Sequence, residues 1–139
     1  MDLAALEALL RLSKTHASVV RRLEPRLAGH HGLSFSELRL LRAIAAARDR
    51  RLRPTDLAAE LDVTASGVTR AILPLEKRGI VRRETDPSDA RVSRVTLTTA
   101  GQTLLDHAAT TAADAATRLL RRLSLGQIRQ LERLLGEIG

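Results

Sequence analysis

Ser66, Thr69 and Arg70 stand three and four residues apart, the spacing that places side chains on one face of an α-helix. Two hydroxyls and a guanidinium on one face can reach the hydrogen-bonding edges of base pairs, where arginine grips guanine bidentately and hydroxyls accept or donate to either base class. For Thr69 a second reading stays open, a helix residue that touches only the sugar-phosphate backbone. Arg53, Thr55, Arg83 and Arg94 flank this segment and suit phosphate contacts. Arg91 leaves the turn-forming run DPSDAR, and a guanidinium there can enter a narrow minor groove, where negative potential concentrates. Asp89, two residues earlier, would repel phosphate if it stood free. Its expected role is to hold Arg91 or a neighbouring arginine by a charge-assisted hydrogen bond; a solvated loop is the competing reading.

Catalysis finds no comparable set. His16, His30, His31 and His107 are scattered without metal-site spacing, and there is no cysteine to serve as nucleophile, zinc ligand, redox sensor or disulfide. The chain therefore reads as a non-enzyme with no cofactor and no metal site.

The elements that must position these residues follow from apolar spacing. Val68, Ile72 and Leu75 recur at helical period and bury one stripe, leaving Ser66, Arg70 and Lys77 on the opposite side. Thr64 suits the N-cap of this helix and Gly79 its end, while Pro74 inside it removes a donor to the carbonyl of Arg70 and predicts a kink. A supporting helix begins at Pro54 and buries Leu57, Ala58 and Leu61. Asp62 and Val63 turn the chain between the two, since Asp tolerates positive φ better than most residues. Two β-prone runs, Ile80 to Glu84 and Val92 to Leu97, then enclose DPSDAR as a hairpin, and Leu52-Arg53 is expected to add one bridge. Helix, turn, helix and hairpin in this order are a winged helix-turn-helix.

Around it the chain is mainly α, with the hairpin as a small β wing. Residues 3 to 28 form an amphipathic helix that Pro25 kinks or closes early and Gly29-His30-His31-Gly32 breaks. Ser34 and Glu37 make a capping box, with Leu33 and Leu38 as its hydrophobic staple, for a helix from Phe35 to Ala47. Thr98 or Thr99 caps a long alanine-sided helix, and Ser124 with Gln127 boxes a last one carrying Leu131, Leu134 and Leu135. The first helix and the last two have apolar stripes that a core of residues 33 to 97 would not cover. A shared dimer interface is the expected use, and folding back as a monomeric bundle the alternative. The expected organisation is one domain over 1–139, with 33–97 as the DNA-binding region and 1–32 and 98–139 as dimerisation helices.

A formal net charge of +7, from 23 Lys and Arg against 16 Asp and Glu, favours a polyanion such as double-stranded DNA. The excess is spread out, 9 against 5 in residues 1–50, 9 against 7 in 51–97 and 5 against 4 in 98–139, so a plain solvated basic surface competes with that reading. No apolar run is long enough to span a bilayer and the N-terminus lacks a basic leader, which predicts a cytoplasmic protein with no membrane partner.

The stretches VTASGVTR, LEKRGIVRRETDPSDAR and VTLTTAG resemble the MarR family of winged-helix transcriptional regulators, and the flanking helices match that family's layout over essentially the whole chain. The most specific part is the wing, where Asp89 and Arg91 stand as Asp-x-Arg after Asp86-Pro87. The resemblance implies a homodimeric regulator, acting as a repressor on a palindromic operator, with the recognition helix in the major groove and the wing arginine in the minor groove. It also implies release by a small-molecule effector, often an aromatic anion; with Phe35 as the sole aromatic residue, aliphatic packing and arginine would have to hold it. Three departures stand out: Asp62 where glycine is usual, Ala65 where a long polar residue is common, and Leu73-Pro74 where charges are frequent. They shift base reading onto Ser66, Thr69 and Arg70, or onto DNA shape. A winged helix that binds a protein partner through the wing or Leu73, and no DNA, is the alternative function.

Overall fold

The computed structural model describes Met1 and residues 3–139. Ser34 sets the first boundary that matters: its Oγ accepts from Glu37 N–H at 3.0 Å while Glu37 Oε1 accepts from Ser34 N–H at 3.1 Å, closing the expected capping box. Helix α1 (Leu3–His31) precedes it and α2 (Phe35–Ala46) follows; then come a 3-10 turn at Arg48–Arg50, β1 (Arg51–Leu52), α3 (Pro54–Leu61), α4 (Ala65–Lys77), β2 (Val81–Thr85), β3 (Ser93–Leu97), α5 (Thr99–Leu119) and α6 (Leu125–Ile138). The strands form one antiparallel sheet in the order β1-β3-β2, with Arg83 opposite Val95 at its centre. A mainly α chain with a small β wing is the fold that the apolar spacing predicts.

Several boundaries differ from expectation for local reasons. α1 runs through Pro25 and Gly29 and stops only at Gly32, whose φ of 62° is the left-handed turn that glycine adopts without a Cβ penalty. Pro25 costs one helical hydrogen bond, but Leu23 and Leu27 on either side are buried, and that packing carries the helix past it. β1 lies one residue earlier than Leu52-Arg53, pairing Arg51 with Thr96 and Leu52 with Val95, because Arg53 is taken as the residue that caps α3 before Pro54. β2 starts at Val81 because Ile80 N–H is already spent on the carbonyl of Leu75 at 2.9 Å, ending α4. β3 starts at Ser93 because Val92 N–H closes the wing turn onto Asp89 O at 3.0 Å. Asp62 does adopt the left-handed conformation, at φ 53°, in the turn from α3 to α4.

The core joins Leu27 of α1, Leu41 and Ile44 of α2, Leu57 of α3, Val68, Ile72 and Leu75 of α4, and Val81 and Val95 of the sheet, all at most 1% exposed. α5 closes it with Leu105 and Ala108, and begins against the turn after α4: a Cβ on Gly101 would lie 1.9 Å from the carbonyl oxygen of Ile80. Thr98 is the residue that caps α5, accepting from Gly101 N–H at 3.0 Å. The ends are different. α6 buries none of its residues, and Leu6, Leu9 and Leu10 of α1 stand at least half exposed. Among the described residues no helix is long and apolar enough to cross a membrane.

Candidate nucleic-acid interface

α4 is held by its buried stripe and by its ends. Thr64 Oγ1 accepts from Gly67 N–H at 3.0 Å and lies 3.3 Å from Ser66 Oγ, so its hydroxyl starts the helix. At the other end Gly79, at φ 72°, turns the chain, and Gly79 and Ile80 return their N–H groups to Glu76 and Leu75. Arg78 then ties this end to α1, donating from Nη1 to Gly32 O at 2.8 Å and from Nη2 to His31 O at 3.4 Å. Ser66, Thr69, Arg70 and Lys77 are all exposed. Thr69 Oγ1 donates to Ala65 O at 3.1 Å, which leaves its lone pairs outward, while Arg70 and Lys77 have no ion pair or side-chain hydrogen bond among the described residues.

The wing is the opposite case, since its arginines are paired. Arg83 Nε lies 3.5 Å from Glu76 Oε2, which fixes β2 beside α4. Arg51 and Arg82 share Glu84, at 3.3 and 2.9 Å. Arg94 Nε donates to Asp86 Oδ2 at 2.8 Å, with Arg53 Nη2 at 3.8 Å from the same oxygen. At the tip Asp89 Oδ1 accepts from the backbone N–H of Arg91 at 3.0 Å and from its Nε at 3.2 Å, and Oδ2 from Nη2 at 3.4 Å. The Arg91 side chain is nonetheless 91% exposed, so it is oriented without being covered. Thr55 is exposed in the first turn of α3, beside Arg53.

Sequence reasoning took Asp86 only as a turn residue, yet its side chain is 0% exposed and organises the wing. Oδ1 accepts from both the N–H and the Oγ of Ser88, at 2.8 and 2.7 Å, and Oδ2 takes the arginines. The available signal was Asp-Pro-Ser itself, because an Asp that bonds the N–H two residues on is a recurrent turn device. The Ser88 hydroxyl and N–H hold the Asp86 carboxyl down at about 2, against burial, which pushes it up, and with help from Arg94. Asp89 is also lowered, first by the Arg91 side chain and then by the Arg91 N–H. With both carboxylates ionised, the wing keeps its pairs through neutral pH.

The remaining expected groups lie elsewhere. His31 Nε2 meets Thr111 Oγ1 of α5 at 2.7 Å, and the two line an open groove of about 360 Å³ with Arg26, His30, Asp114 and Arg118. No group of three or more His, Cys, Asp or Glu that could hold a metal ion occurs among the described residues.

Known proteins of similar sequence and shape can be set beside this arrangement of an outward helix with unpaired cations and a carboxylate-held arginine wing. A profile of the MarR family matches residues 31–92. The chain is 32% identical to Sco3205, a MarR family transcriptional regulator from Streptomyces coelicolor solved in complex with DNA, covering 96% of this chain and 86% of that one at a TM-score of 0.82. A mutant MarR from E. coli complexed with operator DNA shares 26% identity over 99% of both chains, also at a TM-score of 0.82. The HTH-type transcriptional repressor YetL of Bacillus subtilis (strain 168) is 32% identical over 106 residues, 76% of this chain. That match spans 63% of YetL, somewhat under two thirds of its length. Fold, wing and identity over nearly the whole length agree, and the chain belongs to the MarR family of winged-helix transcriptional regulators.

Proposed function

We propose that this chain is a sequence-specific DNA-binding repressor that acts as a homodimer on a palindromic operator. α4 enters the major groove of each half-site, where Ser66, Thr69 and Arg70 read bases, and Arg91 enters the adjacent minor groove. Arg53, Thr55, Arg83 and Arg94 contact phosphates, with Thr64 setting the start of the reading helix. The observation that carries this reading is the charge contrast: Arg70 and Lys77 stand unpaired on the exposed face of α4, next to a wing whose arginines are held by carboxylates. A free guanidinium on a groove-sized helix is a poor core element and a good ligand for guanine or phosphate.

Residues 33–97 serve as the DNA-binding region of a single domain and 1–32 with 98–139 as its dimerisation helices, supported by the leucines that α1 and α6 leave exposed. The two solved relatives that hold DNA support the choice of partner. A small anionic effector that releases the operator would meet Arg26 and Arg118 in the groove where α1 faces α5, beside His31 and Asp114.

Selection of bound fragments from random duplex DNA tests this directly. The expected product is a palindrome whose affinity falls steeply with salt, since neutralised phosphates release counterions. No selected duplex, or a flat salt profile, would overturn the reading and favour a protein partner.

A further inference from the structure

The exposed face of α4 carries a large aliphatic side chain, which cannot hydrogen-bond. Ser66, Thr69, Arg70, Leu73 and Lys77 recur at helical spacing, and Leu73 stands two turns after Ser66, near the middle of that stripe. It is 43% exposed, whereas Val68, Ile72 and Leu75 on the far side are at most 1% exposed. Nor is it among the described residues that form the core or are partly buried against it. Pro74, also exposed, follows it and adds further apolar surface without an N–H. Polar residues flank this patch on both sides along the helix, Thr69 and Arg70 before it and Lys77 after it.

In the major groove, the apolar feature of a base pair is the 5-methyl group of thymine. We infer that Leu73 is a specificity-determining residue that reads a thymine methyl in each half-site; this rests on the DNA-binding function proposed above. The helix rises about 1.5 Å per residue, so Leu73 lies roughly 4.5 Å beyond Arg70 and 6 Å beyond Thr69. With bases about 3.4 Å apart along each strand, the thymine falls within one or two steps of the base that Arg70 reads. Where a charged residue here would add a phosphate or base hydrogen bond, leucine adds a contact that separates thymine from cytosine by shape.

The test replaces each thymine of a selected operator, one at a time, by deoxyuridine, which keeps base pairing and removes only the methyl. Affinity is measured for the full-length dimer, for Leu73→Ala and, as a control, for Arg70→Ala. The expected result is one thymine per half-site whose substitution weakens the unaltered protein about threefold to fivefold, the effect of one buried methyl. Leu73→Ala should lose that sensitivity at that position alone, keep its melting temperature, and bind the deoxyuridine duplex as well as the thymine duplex. Arg70→Ala should bind more weakly yet still sense the methyl. If no thymine is methyl-sensitive, or Leu73→Ala and the unaltered protein respond alike, the inference falls while DNA binding stands. A protein that selects no duplex at all overturns both readings.

Discussion

Leucine does opposite work in the middle of this chain and at its ends. Leu33, Leu41, Leu57 and Leu75 are at most 1% exposed because α2, α3, α4 and the sheet converge on them from several directions. Leu6 and Leu10 of α1 and Leu131 and Leu134 of α6 have the same side chain and similar helical spacing but remain open, and α6 buries none of its residues. Apolar spacing along one helix says only that a face exists; burial needs a second surface. The middle supplies its own, and the homodimer proposed above would supply one for the ends.

The sharpest way to break this contrast is to put charge on the open stripe. Leu131→Glu with Leu134→Glu is expected to yield a monomer by sedimentation at micromolar concentration, because a two-fold interface meets each substitution twice. Operator affinity should then fall by at least about 100-fold, since both half-sites are no longer held by one particle. A stable dimer from this variant would mean that the α6 stripe lies outside the interface.

Arg70→Ala acts within the self-sufficient middle and should leave dimerisation and melting untouched. If the guanidinium grips guanine bidentately, the loss is about 1 to 3 kcal/mol at one position of each half-site, with preference there relaxed. Equal weakening on every duplex would assign Arg70 to phosphate instead.

What could be read from sequence divides along the same line. Caps at Ser34, Thr64 and Ser124, the left-handed Asp62, the helix-ending Gly79 and the hairpin are legible because each depends on residues within a few positions of one another. Pro25 does not close α1 early, because its local penalty is outweighed by Leu23 and Leu27, whose burial depends on distant helices. Asp49 and Arg50, at φ 59° and 56°, give no local warning either; the Arg50 carbonyl is held there by the Thr96 hydroxyl at 3.0 Å, from the paired strand β3, 46 residues on. In the wing the Asp89–Arg91 pair was legible, two residues apart, and the pairs made by Asp86 were not. Arg53 and Arg94 read as free cations, yet Asp86 meets both, through a fold contact with one and across the hairpin with the other.

Asp86 gives the third test, on stability. Its carboxyl is held at about 2, below the ordinary 3.8, so the folded state favours the ionised form; that contribution is complete above 3.8 and is lost as pH falls towards 2. Asp86→Asn should therefore melt below the unaltered protein at pH 7, and the two should converge between about pH 4 and pH 2. Parallel melting curves across that window would remove the carboxylate from the account of wing stability.

The smallest expected effects are at the wing tip, and they separate orientation from plain charge. Asp89 holds Arg91 through three contacts of 3.0 to 3.4 Å, while the guanidinium stays exposed. Holding it in place before DNA arrives lowers the ordering cost of binding, and a narrow A·T-rich minor groove then attracts it without a unique base code. Arg91→Ala should weaken operator binding severalfold and flatten any preference for A·T-rich flanks, with dimerisation and melting nearly unchanged. Asp89→Ala removes a negative charge beside phosphate, so electrostatics alone predicts tighter binding. If orientation matters more, Asp89→Ala also weakens binding, by less than Arg91→Ala, and adding it to Arg91→Ala costs nothing further, because the group it positions is already gone. Anisotropy titrations of the four proteins on one operator decide between these, and tighter binding by Asp89→Ala would sink the orienting role.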